Sequence, residues 1–125
     1  MESETKTVLL VDDDPDVLDA LRLVLVHGGY SVVTAPSAEE GLRVYDGTAP
    51  DVVIVDLMME EVDAGTTFIK ELRLRGNTSP VYMLSSVGDA MSGIVDTASL
   101  GLAGVLQKPI DGPTLLRMLS ERLAG

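Results

Sequence analysis

Four separate stretches carry the side chains that could do chemistry: Asp12-Asp13-Asp14, Asp56, Ser85 and Lys108. Each follows a short apolar run, so each sits where a dry segment ends. The most abrupt is Val52-Val53-Ile54-Val55-Asp56, where β-branched residues typical of a strand buried on both faces run straight into a carboxylate. If these groups meet in space, the like charges of Asp12, Asp13 and Asp56 repel and need a cation. An incomplete all-oxygen set suits Mg²⁺, which keeps several waters, with Mn²⁺ as an alternative. Lys108 can pair with Asp56 before a reaction and with an oxyanion after it, and Ser85 can donate a hydrogen bond to that oxyanion. Such parts fit phosphoryl transfer, where catalysis is mostly positioning and charge neutralisation, with Asp56 as the nucleophile.

Whether they meet depends on the elements between them. Val8 to Val11 reads as a first strand; Asp14 then suits an N-cap and Pro15 the first turn of a helix that stops at Gly28-Gly29. Helical spacing puts Val17, Leu18, Leu21, Val24 and Leu25 on one face and leaves Leu23 and Val26 outside, a candidate partner surface. Ser31 to Ala35 is a second strand. Ser37 and Glu40 form a capping-box pattern for a helix ending near Asp46-Gly47. After the strand of Asp56, Thr67 to Arg75 predicts a third helix closed by Gly76-Asn77, and Val81 to Leu84 a strand ending in Ser85-Ser86. A fourth helix over 90–101 is weakened by Ser92, Gly93, Thr97 and Ser99, which predicts it to be the least stable. Gly104 to Gln107 is the fifth strand, and Pro113 to Leu123 the last helix, with Leu115, Leu116, Leu119 and Leu123 inward.

This fivefold βα alternation predicts an α/β fold, a flavodoxin-like doubly wound (βα)5 sandwich. Right-handed crossovers make the order of its parallel strands 2-1-3-4-5. Ligands of such sheets bind beyond the carboxyl ends of the strands, where strand order reverses. Here that point lies between the first and third strands. Asp12, Asp13 and Asp56 leave those two ends, and the next two strands bring Ser85 and Lys108 to the same edge.

Composition sets the bounds. A chain of 125 residues, 46% hydrophobic and 3% aromatic, predicts one domain over 1–125 with an aliphatic core and a frayed leader at 1–6. The absence of cysteine excludes disulfides, thiolate nucleophiles and cysteine-based zinc sites, and His27 as the single histidine excludes a multi-histidine metal site. A net charge of −11 argues against direct nucleic-acid binding. The apolar run after Lys6 is too short to span a bilayer, so no membrane association is expected and the expected location is cytoplasmic.

Taken singly, each motif has a plain structural reading: an acidic turn, a strand-ending aspartate or serine, a surface lysine before a turn proline. Taken in order, they resemble the receiver domains of two-component response regulators over roughly residues 6–124. Val8-Leu9-Leu10-Val11-Asp12-Asp13 resembles that family's acidic-pair strand, and Val53-Ile54-Val55-Asp56-Leu57-Met58-Met59 its phosphoacceptor segment. Pro80-Val81-Tyr82-Met83-Leu84-Ser85-Ser86 resembles its Ser/Thr strand, and Gln107-Lys108-Pro109 its Lys-Pro.

The resemblance implies that a histidine kinase or histidine phosphotransfer protein phosphorylates Asp56. It implies Mg²⁺ on Asp13, Asp56 and the backbone carbonyl of Met58, with Asp12 acting through water, and a cis Lys108-Pro109 bond. Such a domain is a switch rather than a turnover enzyme, although it promotes its own phosphorylation and dephosphorylation. Its output to a downstream protein, or to a second copy in a homodimer, would use the face made by the fourth helix, the fifth strand and the last helix.

Two departures stand out. Val105 occupies the position of an inward-swinging aromatic, and Glu60 with Gly65 replaces the usual Pro and Gly spacing after Asp56. They support an alternative reading, a degenerate receiver that serves as a docking module. A Mg²⁺-dependent aspartyl phosphatase of the haloacid-dehalogenase type, with Asp12 as nucleophile, is a further alternative; the short chain and the lack of a later acidic pair argue against it. The ending at Ala124-Gly125 fits a stand-alone regulator and equally the receiver module of a larger protein.

Overall fold

The computed structural model describes residues 5–56, 64–85 and 101–124. Expectations placed on 1–4, on 57–63 (Met58 and Glu60 among them) and on 86–100, including most of the fourth helix and Ser86, lie outside the described residues. The chain runs β1 (Thr7–Val11), α1 (Pro15–His27), β2 (Ser31–Ala35), α2 (Ala38–Thr48), β3 (Val52–Asp56), α3 (Ala64–Leu74), β4 (Val81–Ser85), β5 (Gly104–Gln107) and α4 (Gly112–Ala124).

The strands form one parallel sheet in the expected order β2-β1-β3-β4-β5, an order compatible with right-handed crossovers. Because the sheet is covered on both sides, its central strands are apolar throughout. Val52 to Val55 are fully buried, and so are Val8 to Val11. On one face Val8, Leu10, Ile54 and Leu84 pack against Leu18, Leu21 and Leu25 of α1 and Leu115 and Leu119 of α4. On the other, Leu9, Val53, Val55 and Met83 pack against Phe68, Ile69 and Leu72 of α3. Each buried aliphatic side chain contributes about 1.5–3 kcal/mol against exposure. A strand pinned on both faces in this way cannot slip without turning a whole set of side chains the wrong way.

The helix ends follow their predicted chemistry. The Asp14 side chain accepts the Asp16 N–H at 2.9 Å, and the Ser37 hydroxyl accepts the Glu40 N–H at 3.2 Å. Gly29 (φ 97°) and Gly76 (φ 83°) supply the left-handed turns after α1 and α3. Leu23 and Val26 are exposed, as their side of α1 predicts.

Three boundaries differ from expectation. α2 continues past the expected end near Asp46-Gly47 to Thr48, and Ala49 (φ 52°) makes a left-handed exit. Thr48 prolongs the last turn by donating its hydroxyl to the Val44 carbonyl at 2.6 Å. α3 begins at Ala64 rather than Thr67. Gly65, Thr66 and Thr67 are poor helix formers by propensity, and tertiary placement overrides that weak preference. α4 begins at Gly112, one residue earlier than expected, because Asp111 is its cap.

Candidate functional site

Register alone brings the separated motifs together. Val11 pairs with Val55, so Asp12 leaves β1 level with Asp56 at the end of β3. Asp56 pairs with Leu84, which puts Ser85 one step further along β4. Ser85 pairs with Gln107, so Lys108 comes next on β5. With neighbouring strands about 4.8 Å apart, the four chain segments form a rim at the carboxyl edge of the sheet.

The acids are not equivalent. Asp12 is fully buried and Asp56 is 5% exposed, whereas Asp13 is open to solvent. Carboxylate oxygens of Asp12, Asp13 and Asp56 nonetheless lie within 4.8 Å of one another. Asp12 is held in place at both ends: its backbone N–H donates to the Ala35 carbonyl at 3.1 Å, and its Oδ1 accepts the Asp14 N–H at 2.9 Å. The Lys108 ammonium reaches across the rim to Asp12 Oδ2 and to Asp56 Oδ1, each at 3.1 Å.

Electrostatics follow from this packing. Burial, and then the charge of Asp12, push the Asp56 carboxyl up to about 6; Lys108 pulls in the opposite direction and Asp13 adds to the rise. Burial draws the Lys108 ammonium down, but its hydrogen bonds and charge pairing with Asp12 and Asp56 prevail and hold it above the ordinary lysine value. One ammonium against three converging carboxylates leaves the rim short of positive charge. A hard divalent cation fits this donor set, since it prefers carboxylate oxygens and tolerates water at the remaining positions.

Ser85 is fully buried, and among the described residues its hydroxyl has no hydrogen-bond partner. A buried unpaired hydroxyl is costly, so it marks a place where an acceptor belongs. The Ser85 carbonyl is engaged, accepting the Lys108 N–H at 2.8 Å. The Lys108-Pro109 peptide bond is cis. Val105, paired with Met83 on the edge strand, is 40% exposed and short.

Thus Asp12, Asp13, Asp56, Ser85 and Lys108 stand on one rim, and Met58 falls outside the described residues. Asp111, the cap of α4, was not among the residues expected to matter. Its signal was an aspartate ahead of Gly112-Pro113, an N-cap followed by an early-turn proline.

Comparison with known proteins gives the same arrangement a family. The family profile described as response regulator receiver domain matches residues 8–120. The chain is 38% identical over 123 residues to the transcriptional regulatory protein GlrR of Escherichia coli, an alignment that covers 98% of this chain and 27% of that protein. The chain therefore spans about a quarter of the length of that relative. It is similar in structure to the chemotaxis response regulator CheY4 of Vibrio cholerae, with a TM-score of 0.85, 30% identity, and coverage of 96% of this chain and 100% of that one. A putative response regulator from Chloroflexus aurantiacus gives a TM-score of 0.84 at 34% identity, covering 98% of this chain and 100% of the other. No helix among the described residues is long and apolar enough to cross a membrane. Receiver domains are signalling modules of two-component systems, and with its profile match, its strand order and its rim of acids this chain belongs to the response regulator receiver domain family.

Proposed function

We propose that the domain is a phosphorylation switch: Asp56 accepts a phosphoryl group from the phosphohistidine of a kinase or phosphotransfer protein. The convergence of Asp12, Asp13 and Asp56 within 4.8 Å, bridged by Lys108, is the observation that carries this reading. An Asp56 carboxylate oxygen forms the new P–O bond while the donor's P–N bond breaks, its electron pair returning to the imidazole nitrogen. Asp13, Asp56 and the Met58 carbonyl would hold Mg²⁺, with Asp12 acting through water; the ion would supply charge neutralisation for the transferring group. Lys108, placed beside Asp56, exchanges its carboxylate partner for a phosphoryl oxygen. The Ser85 hydroxyl donates to another. The apolar cleft of about 430 Å³ between α1 and Lys108-Pro109-Ile110, lined by Val17, Ala20 and Leu21, lies beside the rim and would be the seat of the donor protein.

The whole chain then acts as a single cytoplasmic receiver unit. It does not turn over a substrate, although it promotes its own phosphorylation and dephosphorylation. Its output would shift the population of the face that includes β5 and α4, toward a downstream protein or a second copy. The test is incubation with Mg²⁺ and a small phosphodonor such as acetyl phosphate. Wild type should gain the mass of one phosphoryl group, and Asp56→Asn should gain none. Modification of Asp56→Asn would reject the assignment.

A second reading is favoured by Val105. A stiff β-branched side chain has no large inward and outward positions to choose between, so docking at this face would not depend on phosphorylation. Wild type that binds no Mg²⁺ and takes up no phosphoryl group would support that reading instead.

A further inference from the structure

Lys108 has a flexible side chain, yet its ammonium must meet two carboxylates at once, which requires a fixed backbone beneath it. That backbone leaves β5 at Gln107 and enters α4 at Gly112, so a short bridge, Lys108 to Asp111, decides where the side chain starts. One end is tied by the Lys108 N–H on the Ser85 carbonyl at 2.8 Å. In the middle, Ile110 packs against the core shared by α1 and α4. The other end is tied by Asp111. Its Oδ2 accepts the Thr114 N–H at 3.0 Å and the Thr114 hydroxyl, and its carbonyl accepts the Leu115 N–H at 3.0 Å. The two Thr114 bonds, with the Arg117 charge nearby, hold the Asp111 carboxyl below its ordinary range although it is exposed.

We infer that Asp111 is a positioning residue for Lys108: by capping α4 it fixes the bridge, and so the place from which the ammonium reaches Asp12 and Asp56. Asp111 touches neither the rim acids nor any transferred group. Its effect is through the bridge, and the property that matters is a hydrogen-bond acceptor at the cap rather than a negative charge. The inference rests on the reading of Lys108 as the group that neutralises the phosphoryl oxygen, but the geometry it asserts can be measured without any phosphorylation.

The test compares wild type with Asp111→Ala, Asp111→Asn and Asp111→Ser. Amide hydrogen exchange is followed by NMR on the metal-free protein, and the protection of the Lys108 amide is taken relative to core amides of β1. That ratio corrects for any global loss of stability. An N-cap contributes on the order of 1 kcal/mol, so Asp111→Ala should lower the relative protection about fivefold. Asn and Ser, which keep the acceptor, should restore most of it. In parallel, the rate of phosphorylation by acetyl phosphate at saturating Mg²⁺ should fall about three- to tenfold in Asp111→Ala and recover in Asp111→Asn. Mg²⁺ affinity measured by calorimetry should not weaken, since Lys108 is not a ligand. A general loss of structure would instead lower rate and affinity together. Unchanged relative protection in Asp111→Ala, or failure of both Asn and Ser to restore it, overturns the inference. If wild type accepts no phosphoryl group, the proposed function fails, and the exchange comparison still decides the role of Asp111.

Discussion

Asp56 is the residue on which burial and charge act most strongly. Its carboxyl sits at about 6 in the folded chain because of burial and the neighbouring charge of Asp12, against an ordinary value of 3.8 in the unfolded one. Between those two values the folded state binds more protons than the unfolded state, so stability falls as pH rises. The contribution is complete below about pH 4 and lost as the group ionises through about 6. For metal-free protein this predicts a drop on the order of 1–3 kcal/mol between pH 4 and pH 6.5 in urea unfolding, beyond the general trend of the other carboxylates. Asp56→Asn should flatten the drop and stabilise the protein at pH 7. A pH dependence identical in the two proteins would refute the assignment of the shift to this side chain. Mg²⁺ at neutral pH should restore stability to wild type, because a cation that binds only the folded state raises its population.

The elements are held by close approach as much as by burial. Gly41 of α2 is buried where the helix crosses β1 and α3. A Cβ built there would lie 2.9 Å from a ring carbon of Phe68 and 3.0 Å from a methyl of Val11, both themselves buried. In a helix interior, alanine is ordinarily favoured over glycine by about 1 kcal/mol. Here the fully buried Phe68 ring has nowhere to move, and overpacking costs typically 1–3 kcal/mol. Gly41→Ala is therefore expected to lower stability on balance, seen as a lower midpoint in urea with an unchanged slope. A higher midpoint would show that α2 can lift from the sheet freely. The same packing logic explains why α3 starts earlier than its Gly65-Thr66-Thr67 stretch suggests: a helix clamped by Phe68, Ile69 and Leu72 extends into residues that would not form helix alone.

At the scale of the molecule, a net charge of −11 concentrates repulsion on a small surface. Ion pairs such as Arg75 with Asp46 at 2.9 Å and with Glu71 at 3.1 Å relieve some of it locally, but nine basic residues cannot balance twenty acidic ones. Screening acts on exposed charges and much less on a buried rim. Raising NaCl from about 0.02 M to about 0.2 M at pH 7 should therefore raise the thermal midpoint by a few degrees. A lowered midpoint would mean that attractive surface pairs outweigh the excess acid. The same charge favours partners with basic residues around an apolar contact, since like charges brought together slow encounter.

Strand identity, strand order and helix caps could be read from residues alone because they rest on local chemistry. Val52 to Val55 have the β-branched run of a doubly covered strand, Asp14 and Ser37 carry cap side chains, and the order 2-1-3-4-5 is one that right-handed crossovers allow five βα units. That order also sufficed to gather Asp12, Asp56, Ser85 and Lys108 on one edge. Tertiary structure decided what no spacing contains. Asp12 is sealed while Asp13, the next residue, is open although its carboxylate reaches the same rim, because Asp13 lies past the strand end, in the bend that leads into α1. Lys108 bridges two acids rather than one, because the reach of its ammonium is fixed only once β5 has docked beside β4.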